Sequence, residues 1–472
     1  VALDAARIRT SVDTRWDRDV LGPLQDYVRI PNVSPAFDPR WEANGHMAAA
    51  TALICQWCEA RPIEGMTVEV LEVPGRTPVV LCEIPATDPA LADDTVLLYG
   101  HLDKQPEMSG WREGLGPWEP VLEGDLLYGR GGADDGYAVF SALTAIEALR
   151  DAGGSHARLL VLIEASEESG SPDLPAHLDA LGDRLGQVSL VVGLDSGAAT
   201  YDRLWVTTSL RGVLMASVRV EVLTEGVHSG SAGGVVPSSF RLLRRLLDRI
   251  EDPDTGRVMV DELWCDIPAE RHDQMAATAD QIVAGLAFPW AGATRPDHAD
   301  AVDLLRARTW EPSIANIAVD GFPPADRAGN VLRPFTELTL SCRLAPTADP
   351  AAAADALERA LTADPPNGAT VTVTVRGAEG GWNAPPTAAW LQAAVDEASE
   401  AHWGQPSAAM GEGGTIPFMG MLGARFPEAQ FLITGVLGPG SNAHGPNEFL
   451  HLPMARRITA TVSHVLDAHA RR

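Results

Sequence analysis

Lysine is all but missing: Lys104 is the single lysine in 472 residues, and arginine supplies every other basic side chain. Positive charge is scarce overall, with 36 basic residues against 64 acidic ones and a formal net charge of -28. That balance excludes the basic surfaces by which nucleic acids and anionic membranes are held. It does not single out a halophilic or acid-binding specialisation, because solubility accounts for it equally well. Cysteine is also sparse. Five residues, an odd number, do not make a disulfide framework and favour a reducing, cytoplasmic setting. Cys55 and Cys58 form a CxxC, but it lies in the helix-like ATALICQWCEA with no second pair, so both read as core cysteines. No apolar run approaches the ~20 residues needed to cross a bilayer. The opening VALDAARIRTSVDTRWDRD is amphipathic and charged, without a signal-peptide core.

What is present is enough chain for two cores. Some apolar segments are continuous: 96-VLLYG-100, 159-LLVLIE-164, 189-SLVVGLD-195 and 431-FLITGV-436. Such runs mark strands buried on both faces, as in a mostly parallel sheet sandwiched by helices. The segment 138-AVFSALTAIEALRDAGG-154 supplies a crossover helix with a glycine stop. Other segments alternate: 218-VRVEV-222, 336-TELTLSCRLAP-346 and 370-TVTVTVRG-377. Alternation marks a sheet with one packed face. Between them, residues 238–250 place leucines on one helical stripe and arginines opposite. The style switches near residue 208 and back near 380. The expected organisation is an α/β domain over 1–208 and 381–472, with an inserted α+β domain over 209–380.

Each continuous strand ends in acids or histidines. VLLYG runs into His101 and Asp103, LLVLIE into Glu167 and Glu168, LVVGL into Asp195, and FLITGV toward His444. The loop 129-GRGGADDG-136 adds Asp134 and Asp135. Open α/β sheets carry their chemistry at these carboxyl ends. A satisfied ion-pair network would need cationic partners, and these loops hold few. Mixed histidine and carboxylate ligands suit zinc, or manganese and cobalt. Five ligands exceed what one catalytic zinc with an open position takes. They fit two divalent ions about 3.5–4 Å apart with a bridging carboxylate. One of the adjacent glutamates then binds metal and the other acts as general base.

At these residues the chain resembles the M20 family of metallopeptidases, above all its dipeptidase branch, which includes cytosolic nonspecific dipeptidase and the carnosinases. The motifs HLD, GRGGADDG, EESGS, the aspartate, HSG and the late histidine follow in the same order over nearly the whole chain. The resemblance implies His101, Asp134, Glu168, Asp195 and His444 as metal ligands, with Asp134 bridging. It implies Glu167 as the base and Asp103 as the group that orients His101. In the inserted domain, His228 matches a histidine that supports the oxyanion in a partner subunit's site, which implies a homodimer built through that lid domain. Asn330, Arg343 and the loop 411-GEGGTIP-417, with Gly414 and Thr415, match positions that hold the substrate carboxylate. Arg343 also falls on the polar face of its strand by pattern alone.

The departures surround the substrate. The family's DDKG is Asp134-Asp135-Gly136-Tyr137, HLDVQP is HLDKQP, and the arginine usual near GGSIP is replaced by Gly411. The expected reaction is amide hydrolysis of a dipeptide or similar small substrate with a free carboxylate. The rival within the class is deacylation of an N-acyl amino acid, for which Trp111 and Trp118 could line an acyl pocket. A non-catalytic metal-binding scaffold is a rival from another class, and the presence of both Glu167 and Asp103 argues against it. Lys104, directly after HLD, is expected either to meet an acidic substrate group or support a metal-site carboxylate, or else merely to balance the acids of the metal site or survive by chance.

Overall fold

The computed structural model describes residues 3–472, which divide into two compact units. The first comprises residues 3–208, Ala384–Met410 and Met421–Arg472; the second comprises Ser209–Asn383 and Gly411–Gly420. The insertion therefore begins where the apolar pattern changes and ends three residues later than expected. The glycine-rich segment 411–420, read from the sequence as part of the α/β domain, groups with the inserted unit.

A six-stranded sheet organises the first unit, in the order Thr67–Leu71, Val79–Ile84, Arg158–Glu164, Asp94–His101, Gln187–Gly193, Gln430–Ile433. The last four strands run parallel to one another, and the first two are added at one edge by antiparallel pairing. Seven of the eight residues of Asp94–His101 are buried, as expected of a central parallel strand. Register pairs His101 with Glu164, so these two strands end level with each other. Helix Tyr137–Asp151 is buried from Tyr137 to Leu149. It packs against both central strands and under helices Ala5–Arg15 and Leu452–Arg471. Its apolar periodicity thus understates its burial, because small residues allow close packing on every side. None of the described helices is long and apolar enough to cross a membrane.

In the second unit, four antiparallel strands run in the order Ser313–Asp320, Phe335–Leu344, Gly212–Glu221, Thr370–Glu379. Leu214, Ala216, Val218, Leu340, Cys342 and Leu344 form one face of this sheet and pack with Leu242, Leu243 and Leu246. The leucines come from helix Ser239–Leu247. Helix Pro350–Thr362 closes the same core through Leu357 and Leu361. The edge strand Ser313–Asp320 leaves Ile317 and Val319 exposed. All five cysteines are free thiols, with Cys58 buried and Cys55 half-buried on helix His46–Glu59.

Candidate active site

The carboxyl ends of the parallel strands deliver a compact cluster. His101 is the last residue of its strand and fully buried. Its Nε2 lies 3.3 Å from Asp134 Oδ1, 3.7 Å from Asp195 Oδ2 and 3.8 Å from Glu167 Oε2. His444 reaches the other side of Asp134, with its Nε2 3.0 Å from Oδ2 and 3.3 Å from Glu168 Oε2. The two oxygens of Asp134 therefore face different histidines. Two sets of donors are close enough to hold an ion: His101, Glu167 and Asp195, and His101, Asp134 and Glu168. All five residues expected as metal ligands come together, and Glu167, expected as the base, stands among them.

Whether these residues suit a cation is decided at His101. Its Nδ1 donates to the backbone oxygen of Asp103 at 3.0 Å. Its Nε2 is buried without a hydrogen-bond partner. Burial opposes a charge on the ring, but Asp103 and Asp134 by hydrogen bond and Glu167 by charge hold its proton affinity well above the usual histidine range. A bare lone pair facing three carboxylates is repulsive, so either a second proton or a metal cation must stand between them. The carboxylates themselves give the same indication. Burial, then the charge of Asp134, pushes Asp195 up to about 7. Burial likewise drives Glu167 and Glu168 well above the usual carboxylate range. Burial opposes the charge on His444, but Asp134 prevails by hydrogen bond and charge and lifts it to about 9. A cluster this strained by like charge is what a divalent ion relieves.

The Asp103 carboxylate does something the resemblance did not suggest. Its Oδ1 accepts from the backbone N–H of Glu167 and its Oδ2 from that of Glu168, both at 3.0 Å. Its nearer contact with His101 is through its own carbonyl, the carboxylate standing 3.5 Å from Nδ1. Asp103 thus fixes the histidine and the glutamate pair together. Glu164, the last residue of the neighbouring strand, stays out of the cluster. It accepts from the hydroxyls of Tyr99, Ser166 and Ser171. Asp135 accepts from the His101 backbone N–H and is buried beneath Gly100. A β-carbon on Gly100 would lie 2.8 Å from an Asp135 oxygen.

Several positioning residues went unnoticed in the sequence. Buried Arg130 pairs with buried Glu448 at 2.5 Å and donates to the carbonyls of His444 and Gly445. Glu448 also accepts from Gly131 N–H. The pair ties the His444 loop to the loop carrying Asp134. Gln105 donates to Glu168 Oε2 at 2.7 Å. The GRGG motif contained Arg130, but its partner lies 318 positions away in sequence, and nothing local signals the contact.

Lys104 requires a correction. It is fully buried, and its ammonium is turned to backbone carbonyls. Its Nζ donates to the carbonyls of Ile30 at 2.7 Å and Tyr27 at 2.8 Å, and sits 4.0 Å from the Tyr27 ring centre. These carbonyls close helix Leu21–Val28, whose C-terminal end attracts a cation. The lysine stem also fills the space over Gly131, where a β-carbon would come within 2.6 Å of Lys104 Cγ. The residue supports the wall behind the Asp134 loop, with its ammonium bonded to carbonyls and not to a metal-site carboxylate.

The second unit carries the other expected residues. His228 is exposed and caps its own short turn, its Nδ1 accepting from Gly230 N–H. Asn330 is exposed beside it, its carbonyl accepting from Ser229 N–H. Arg343 is half-buried on the face opposite the leucine core, and its Nη1 donates to Thr415 Oγ1 at 3.2 Å. Gly414 is exposed on the same loop.

The sequence profile of peptidase family M20/M25/M40 matches residues 97–468. The cysteinylglycine-S-conjugate dipeptidase of Corynebacterium striatum is 28% identical over 370 residues, covering 76% of this chain and 79% of that protein. The Cys-Gly metallodipeptidase DUG1 of Candida albicans is 29% identical over 255 residues, 52% of this chain and 50% of that protein. In fold, the chain is similar to the solved structure of the dipeptidase Dug1p from Saccharomyces cerevisiae. That match has a TM-score of 0.77 at 21% identity, over 99% of both chains. The profile spans well over half of the sequence and runs from the His101 strand to the last helix, so the chain belongs to peptidase family M20/M25/M40.

Proposed function

We propose that the protein hydrolyses the amide bond of dipeptides, or of similarly short substrates with a free carboxylate, using two divalent ions, zinc in the first instance. The observation that carries this reading is the convergence of His101 Nε2, buried without a hydrogen-bond partner, with Asp134, Asp195, Glu167 and Glu168 in two donor sets each close enough to hold an ion. His101, Asp134, Glu168, Asp195 and His444 would hold the ions, Asp134 serving both. When bound, the ions would supply Lewis acidity toward the scissile carbonyl and the attacking water.

The remaining work belongs to the chain. Glu167 takes a proton from the attacking water as the carbon–oxygen bond forms, and delivers it to the departing nitrogen as the carbon–nitrogen bond breaks. Asp103 fixes Glu167 through its backbone N–H. Arg343 and Thr415 hold the substrate carboxylate, for which a guanidinium beside a hydroxyl is apt. His228, with Asn330 beside it, supports the oxyanion in the site of a second copy. Pairing of two copies through the second unit fits its exposed edge strand, where Ile317 and Val319 lack cover. Free cysteines throughout accord with a cytoplasmic setting.

Substitution tests the assignment of the base. Glu167→Gln is expected to retain two metal ions per chain by elemental analysis while losing turnover on the order of a thousandfold or more. A variant within tenfold of wild type would remove Glu167 from that role.

A further inference from the structure

Three arginines of the second unit converge on the loop at Gly413–Thr415. Arg211 is buried and its donors are largely committed: Nε donates to Gly413 O at 3.1 Å, and Nη1 is shared by Glu311 O, Ala307 O and Ser313 Oγ at 3.0–3.3 Å. The Thr415 hydroxyl donates to the Arg211 carbonyl at 2.6 Å and accepts from Arg343. Arg308 is half-buried alongside. A β-carbon on Gly413 would lie 3.4 Å from both Arg308 Cγ and Arg211 Nη2.

Among the described residues, no carboxylate pairs with any of these three. Nearby Glu311 is already engaged, its carboxylate 2.7 Å from Arg306 Nε. Burial, then the charges of Arg343 and Arg308, lowers Arg211 to about 10. Three like charges gathered in a chain of net charge -28 call for an anion to offset them. Arg211 is occupied by the backbone, which leaves two guanidiniums with free donors, Arg343 and Arg308. Arg308 also borders a cleft of about 920 Å³ whose wall includes Arg257, Arg295, Arg306 and Ser313, the last paired across the sheet with Arg343, which leaves room for a side chain beside Arg308.

We propose that this cradle takes two carboxylates from one residue, so that the preferred dipeptides end in aspartate or glutamate. Arg343, with Thr415, holds the terminal carboxylate, as in the function proposed above, on which this inference rests. Arg308 holds the side-chain carboxylate. Arg211 is a positioning residue that sets the loop between them.

Two measurements on the full-length, zinc-loaded protein at low ionic strength separate this inference from the reading beneath it. Alanylglutamate and alanylglutamine differ only in the side-chain charge. Wild type is expected to hydrolyse the acidic one with a kcat/KM at least tenfold higher, mainly through KM. Calorimetry is expected to show L-glutamate binding at least tenfold tighter than L-glutamine. Arg308→Gln should close both gaps, and Arg308→Lys should keep part of each, which a merely structural role for Arg308 would not produce. Equal kcat/KM and equal binding in wild type would overturn the proposal while leaving the dipeptidase reading intact. A binding gap that Arg308→Gln leaves unchanged would overturn the assignment to Arg308. Selective glutamate binding with neither peptide hydrolysed would uphold the cradle and overturn the dipeptidase reading.

Discussion

The imidazole of His101 is the residue on which the metal reading turns, and Lys104 is the one that most repays a direct test. Lys104 donates to helix-terminal carbonyls from a fully buried position. Lys104→Met would leave those oxygens without a donor, at a cost of about 2–4 kcal/mol. The variant is expected to show a clear fall in thermal stability, with little change in substrate preference. Chemical labelling gives an independent check. An amine-reactive reagent followed by peptide mapping should leave Lys104 unmodified in the native protein and modify it after unfolding in guanidinium. Rapid native labelling would contradict its burial. The chemistry-bearing residues were legible because like-charged acids gathered with histidines at successive strand ends repel one another unless a cation joins them. The place of Lys104 was not. A side chain after HLD can turn toward the site or back into the wall, and the carbonyls that capture it lie 74 to 77 residues earlier.

Among elements, the strands were the readable part, since continuous and alternating apolar runs follow directly from burial on two faces or one. Helix Tyr137–Asp151 and the leucine stripe of Ser239–Leu247 were legible for the same reason. The loops at the sheet edge were not, because their shape depends on pairings distant in sequence. Arg130 with Glu448 is the main example, joining the Asp134 and His444 loops. Removing one partner of a buried pair commonly costs about 3–5 kcal/mol, because the other is left charged and unpaired. Arg130→Met is therefore expected to weaken metal retention, read as a lower chelator concentration for half-loss of zinc. The double variant Arg130→Met with Glu448→Leu should recover stability more than it recovers zinc, since neither apolar group holds the His444 carbonyl. Equal zinc retention in all forms would make the pair irrelevant to the site.

For the whole molecule, the insertion between residues 208 and 384 was visible as a change in strand style. The return of 411–420 to the second unit was not, because a short glycine-rich segment carries too little apolar pattern to declare its neighbours. The proposed pairing of two copies makes His228 a residue that serves the other chain. Mixing inactive Glu167→Gln with inactive His228→Ala protein should then restore part of the activity after subunit exchange. No recovery, with exchange verified, would confine His228 to its own chain or remove it from catalysis. The central claim, that this is a two-metal dipeptide hydrolase, is met most directly by titrating zinc into chelated protein while following amino-acid release from alanylglutamine. Activity absent without metal and levelling off at two equivalents per chain is the predicted result. Full activity in the metal-free protein, or none at saturating zinc, manganese and cobalt alike, would contradict it.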